Sequence, residues 1–215
     1  MQPEIAPPKI EDGGPPLDDE KGSGAQAVER ILKLTRDVSA PPFLAGAFAG
    51  SSFLLGIAER RPDLLSSALT GNPQIQFEKA LTNAAAEAQA AGSVRDLMRA
   101  LRRSKEEVAF LAAMFDLSGI WPLEAVMTNL STAADRFVSL AVRFLLARAA
   151  EAGQFRPADP GSPEKDSGLI VLGMGKLGAE ELNYSSDIDL IIFFDRSRAP
   201  WPVAISWPFW TMTMS

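Results

Sequence analysis

Residues 168–195 read GLIVLGMGKLGAEELNYSSDIDLIIFFD. Residues 169–172 are a short apolar run of strand type, closed by Gly173 and Gly175. Glycine tolerates positive φ and lets the backbone come close to a ligand. Successive free N–H groups in such a turn, leading into a helix, favour an anion. Gly173, Gly175, Lys176 and Gly178 are therefore the candidate phosphate cradle. Residues 178–183 are long enough for one or two helical turns. Ser185 and Ser186 follow, with hydroxyls that can also reach a phosphate. A second strand is expected over residues 187–194. Its alternation puts Asp187 and Asp189 on one face, and Ile188 and Leu190 on the other. Two carboxylates so placed are a platform for Mg2+, which takes hard oxygen ligands from one or two carboxylates and from substrate phosphates. The pattern points to metal-dependent nucleotidyl transfer, and to Asp187 and Asp189 as catalytic and metal-binding residues.

Each part of this pattern is weak alone. An Asp-x-Asp is usually a pair of solvated carboxylates, and many turns contain Gly-x-Gly. The specificity lies in their order: strand, Gly-x-Gly-Lys-x-Gly, helix, Ser-Ser, then Asp-x-Asp on an apolar strand. Lys176 does not make the turn a Walker loop, because the four-residue gap and the Lys-Ser/Thr ending are absent.

The stretch resembles the nucleotidyltransferase signature of the bifunctional glutamine synthetase adenylyltransferase/adenylyl-removing enzymes. The resemblance is carried by Gly173-Met174-Gly175-Lys176-Leu177-Gly178 and by Glu181-Leu182-Asn183-Tyr184-Ser185-Ser186-Asp187-Ile188-Asp189-Leu190-Ile191. The upstream Leu101-Arg102-Arg103-Ser104-Lys105 and Asp116-Leu117-Ser118-Gly119-Ile120-Trp121-Pro122-Leu123 are similar to the helical lead-in of that family. The similarity covers about residues 25–195. Ala179 departs from it, standing where the family usually has a further glycine. Members hold two such domains. The amino-terminal one removes AMP from a tyrosine of glutamine synthetase by phosphorolysis, giving ADP, and the carboxy-terminal one attaches AMP from ATP. The wording around Asp187, after one helical domain, is most like the amino-terminal, deadenylylating copy. The resemblance implies Mg2+, ATP or ADP, glutamine synthetase as partner, and the PII signal protein as a further one.

Composition narrows the chemistry independently. The 215 residues contain no cysteine and no histidine. Disulfides, thiolate metal sites, His-liganded zinc and a Ser-His-Asp triad are excluded, so catalysis must use carboxylates, hydroxyls, Lys or Arg. A formal net charge of −6 argues against a nucleic-acid partner, which needs clustered Lys and Arg. No apolar run reaches the eighteen residues of a membrane span, and the Pro-rich, acidic amino terminus is not a signal peptide. A cytoplasmic protein is expected.

The fold class expected is α+β: a mostly helical amino-terminal region, then the start of an incomplete nucleotidyltransferase-type αβ domain. Residues 1–24 are rich in Pro, Gly, Asp and Glu and are expected to be disordered. Residues 25–152 read as a helical domain. Residues 43–58 form one apolar segment, residues 76–91 and 94–115 are helical, and the clearest helix covers 122–150. Its Val126, Leu130, Ala133, Phe137, Leu140, Ala141, Phe144 and Leu145 recur at steps of three and four. This stripe reads as a bundle core rather than a partner groove. Residues 153–167 are a linker or long loop, and a βαβ-like unit opens at Gly168. Arg102, Arg103 and Lys105 read as a solvated face in preference to a phosphate contact. Tyr184, the sole tyrosine, is either a base-stacking platform or a buried anchor.

Residues 196–215 fit neither strand alternation nor an amphipathic helix. They hold three of the four tryptophans and no Asp or Glu, and they do not resemble the family. A frameshifted or truncated frame is expected here, with a genuine hydrophobic extension as the alternative. Similar nucleotidyltransferases add a third acid from a neighbouring strand. Asp195 cannot supply it, lying about 20 Å beyond Asp189 along an extended strand. The chain is therefore expected to carry a catalytic half-site and to be inactive alone. Two further readings stay open: a catalytically dead interaction module, and a nucleotidyltransferase with another substrate.

Overall fold

The computed structural model describes residues 17–19, 22–33 and 40–195. Most of the expected leader, and the whole of the tail 196–215, lie outside the described residues. The described residues form helices α1 Ser23–Leu32, α2 Leu44–Gly50, α3 Ser52–Arg60, α4 Pro62–Thr70, α5 Pro73–Ala90, α6 Val94–Leu117, α7 Leu123–Glu151 and α8 Gly175–Gly178. They add two strands, β1 Leu169–Gly173 and β2 Leu190–Phe194. The composition is α+β and mostly helical. No described helix is long and apolar enough to cross a membrane.

The long helices α5, α6 and α7 fall where apolar periodicity places them. The segment 43–58 does not stay whole. Ser51 is extended (φ −135°, ψ 102°), and its hydroxyl accepts the Leu54 N–H at 3.3 Å, capping α3 and separating it from α2. Helix α4, not evident in the apolar pattern, opens with Pro62 in its first turn, where the missing N–H costs nothing.

The described residues divide into two compact units, each assembled from separate stretches, the first drawn from 1–82 with 103–126 and the second from 83–102 with 127–215. Among the described residues the first contains helices and no strand. Its core includes Ile31, Phe43, Leu65, Phe110 and Phe115, all 0–1% exposed. Each such side chain contributes about 1.5–3 kcal/mol relative to exposure. Trp121 meets the rings of Phe77 and Phe115 edge-on, with centroids 5.7 and 4.8 Å away. Arg61 pairs with Glu107 at 2.6 Å and Arg60 with Glu106 at 3.3 Å on the outside of this unit.

The second unit carries most of α7 and the sheet. Along α7, Ala133 and Leu146 are buried, while Phe137, Leu140, Ala141 and Phe144 are half-buried. Leu145, expected in the core stripe, is 50% exposed; its neighbour Leu146 takes the inward position. The loop after α7 is anchored. Phe155 and Ser167 are buried, and Glu164 receives hydrogen bonds from Arg143 Nε and Nη2 at 3.0 and 2.6 Å.

Strands β1 and β2 pair antiparallel, from Leu169 opposite Phe194 to Gly173 opposite Leu190. The βαβ-like crossover is thereby corrected to an antiparallel return. A parallel crossover must carry the chain back along a strand, about 16 Å for five residues. The connection, residues 174–189, has only the four residues of α8 as helix, where such a crossover usually uses a full-length one.

Candidate nucleotide and metal site

The site is built where β1 ends. Met174 is extended (φ −110°, ψ 173°), and the chain then turns into the single-turn helix α8. Two glycines make this geometry possible. Gly175 has φ +53°, a left-handed conformation that side chains rarely adopt. A Cβ there would stand 3.5 Å from Asp189 Oδ2, so the bare turn lies beside that carboxylate. Gly178 closes the turn: a Cβ on it would fall 2.5 Å from the Gly173 carbonyl oxygen. Lys176 is exposed between them.

The helix expected over residues 178–183 is shorter and earlier. It ends at Gly178, and the next residues cap it. Glu180 N–H donates to the Leu177 carbonyl at 3.1 Å and Glu181 N–H to the Lys176 carbonyl at 2.8 Å, with Glu180 at φ +59°. This is a Schellman ending with Glu in the position that glycine usually takes. Ala179, which departs from the family wording, has an ordinary right-handed φ of −89° and needs no glycine.

Asp187 and Asp189 do not lie inside the strand, which begins one residue later at Leu190. They flank an isolated bridge at Ile188, and the ladder reaches them through Met174 N–H, which donates to the Asp189 carbonyl at 2.8 Å. Alternation persists: Asp187 and Asp189 are exposed, while Ile188 and Leu190 are half-buried. Ser185 and Ser186 are already engaged. Both hydroxyls donate to Asn183 Oδ1, at 3.3 and 2.8 Å, and Ser186 Oγ accepts the Asn183 N–H at 3.2 Å. Asn183 thus organises the turn leading to Asp187, a role the sequence reading missed. Its signal was there, since Asn at the head of Asn-x-Ser-Ser favours an Asx turn. Tyr184 is 42% exposed rather than a buried anchor.

Two other features frame the site. Leu182 is buried, and its N–H donates to Ser131 Oγ on α7 at 3.2 Å. A groove of about 350 Å³ shares Gly173 and Leu177 with the turn and continues along Asp135, Arg136, Ser139 and the Arg143–Glu164 pair. Among the described residues no three His, Cys, Asp or Glu side chains converge as a metal cage. Two exposed carboxylates, one of them beside the bare Gly175, fit an ion that takes its remaining ligands from water and phosphate, as Mg2+ does.

Against known proteins, residues 43–203 match the family described as glutamate-ammonia ligase adenylyltransferase. The chain belongs to that family. Relatives named bifunctional glutamine synthetase adenylyltransferase/adenylyl-removing enzyme include one from Xanthobacter autotrophicus, 42% identical over 78% of this chain. Another, from Rhodopseudomonas palustris, is 46% identical over 67% of the chain, and one from Brucella suis is 39% identical over 85%. The matched regions span 17%, 15% and 20% of these relatives' own lengths. The glycine turn and both aspartates lie inside the family match.

Proposed function

We propose that this chain carries the amino-terminal, AMP-removing part of an enzyme that controls glutamine synthetase, and that residues 168–195 begin a nucleotidyltransferase domain. The observation that carries the reading is the approach of the Asp189 carboxylate to the bare Cα of Gly175, which joins the acidic and glycine-rich halves of the motif. Asp187 and Asp189 would hold Mg2+, whose charge would offset that of the phosphates. Gly175 leaves room for the nucleotide, Gly173 and Gly178 let the turn close tightly enough to present its N–H groups, and Lys176 offers a cation there. Ser185 and Ser186 serve by fixing the turn before Asp187. Either hydroxyl would give up its bond to Asn183 before meeting a phosphate.

In the proposed reaction, inorganic phosphate displaces the modified tyrosine oxygen at the AMP phosphorus, yielding ADP and free tyrosine. This chain alone binds nucleotide but turns over neither AMP removal nor AMP attachment. Among the described residues no third carboxylate joins Asp187 and Asp189 in a metal-holding group, and cooperating groups lose most of their rate when one is missing. Purified chain incubated with adenylylated glutamine synthetase, Mg2+ and phosphate should release no ADP above background. ATP with unmodified glutamine synthetase should give no AMP transfer. Turnover abolished by Asp187→Asn would overturn the inactivity. Binding to glutamine synthetase without any Mg2+-dependent nucleotide binding would favour the interaction-module reading.

A further inference from the structure

Ser131 is far from the motif in sequence and is an ordinary helical serine by composition. In the fold it sits on α7, 3% exposed, and its Oγ accepts the N–H of Leu182, fifty-one residues later, at 3.2 Å. Leu182 is itself 4% exposed. It lies between the capped end of α8 and the Asn183 turn, so the next residues are those that present Asp187 and Asp189. A buried N–H left without an acceptor loses its full solvation, so this one bond discriminates between positions of the loop. The loop has no helix or strand of its own from residue 179 to 189. It is tied to α7, a 29-residue helix, by the bond from the Leu182 N–H to the Ser131 hydroxyl.

We infer that Ser131 is a positioning residue of the nucleotide and metal site: it fixes the Leu182 backbone, which sets the Asn183 turn and through it the two aspartates. The inference rests on the function proposed above. It deepens that reading by making a residue of the helical region part of the site's support. Sites are held by rigid elements and by the residues behind those that touch the ligand. A hydroxyl contributed by α7 meets both conditions.

The test uses the whole 215-residue chain with Ser131→Ala and Ser131→Thr. Alanine suits a helix interior, so Ser131→Ala should keep α7 folded. Threonine keeps the acceptor. Amide exchange followed by NMR should show Leu182 and residues 183–187 opening about tenfold more readily in Ser131→Ala, the scale of one net hydrogen bond. Amides of α7 should change by less than about twofold, and Ser131→Thr should follow the unsubstituted chain. Calorimetry with Mg2+ and ADP should then show several-fold weaker binding for Ser131→Ala, restored in Ser131→Thr. Unchanged exchange at Leu182, or equal acceleration throughout α7, would overturn the anchor. A loosened loop with undiminished Mg2+–ADP affinity would overturn its positioning role. If the unsubstituted chain binds no Mg2+–ADP, the functional reading fails, while the exchange result still decides whether Ser131 holds the loop.

Discussion

Glu180 occupies a conformation that costs a side chain about 1–2 kcal/mol. Two other helices end in the same hydrogen-bond pattern, but with glycine in the left-handed position. Gly119 (φ +73°) follows α6 and Gly153 (φ +70°) follows α7. Replacing Glu180 by Gly should therefore relieve strain, offset partly by the roughly 0.5–1 kcal/mol of extra chain entropy that glycine loses on folding. The expected net gain is a few tenths of a kcal/mol to about 1 kcal/mol in urea unfolding. A loss of stability would show that the Glu180 side chain has a compensating contact. The converse applies at Gly175, where Ala would bring both left-handed strain and a methyl beside Asp189. Gly175→Ala should destabilise by about 1–2 kcal/mol and weaken nucleotide binding. The requirement at Gly175 was legible, because Gly-x-Gly after an apolar run announces a turn. The strain at Glu180 was not, because sequence does not reveal which residue of a helix ending takes the positive φ. The backbone puts the positive φ at 180, one residue after the Ala179 that departs from the family wording.

Helices were the most legible elements, since Val94–Leu117 and Leu123–Glu151 repeat their apolar positions over many turns. Short elements were not. The single turn of α8 and the start of β2 are set by hydrogen bonds within a few residues, where periodicity has nothing to average. The expected shared face of Asp187 and Asp189 survives as alternating exposure, even though the strand starts after them. Pairings between elements were invisible: nothing in the composition joins Ser131 to Leu182, or Arg143 to Glu164. The latter pair predicts a pH effect. Hydrogen bonds from Arg143 hold the Glu164 carboxyl below the ordinary carboxylate range, against the opposing effect of its partial burial. A depressed carboxyl contributes stability that is full above the unfolded glutamate value of about 4.3 and is lost as pH falls through the lower folded value. Both partners are more than a third exposed, so solvent screening limits the contribution to less than about 1 kcal/mol. Glu164→Gln should show that deficit at neutral pH in thermal melts, and the gap from the unsubstituted chain should close in acid. A gap that persists unchanged at low pH would assign the effect to packing.

At the scale of the whole molecule, the sheet is small and its surface apolar. Ile170 and Phe193 face each other across the two strands, as do Leu172 and Ile191, and all four are 39–51% exposed. Ile192 on the opposite side is 55% exposed. Two paired strands alone are marginal in water, and contiguous exposed apolar surface promotes association. Sedimentation should show the chain associating with rising concentration, and Ile192→Lys with Phe193→Lys should suppress this without changing helix content. Concentration-independent monomer in the unsubstituted chain would contradict it. The central claim is narrower: the glycine turn and the two aspartates form one Mg2+-dependent nucleotide site. Isothermal titration of ADP into the chain, with Mg2+ and with chelator, tests it directly. The account predicts binding with Mg2+ that is lost in chelator and in Asp187→Asn and Asp189→Asn, with the helical signal intact. Equal affinity with and without Mg2+, or in both aspartate variants, would contradict it.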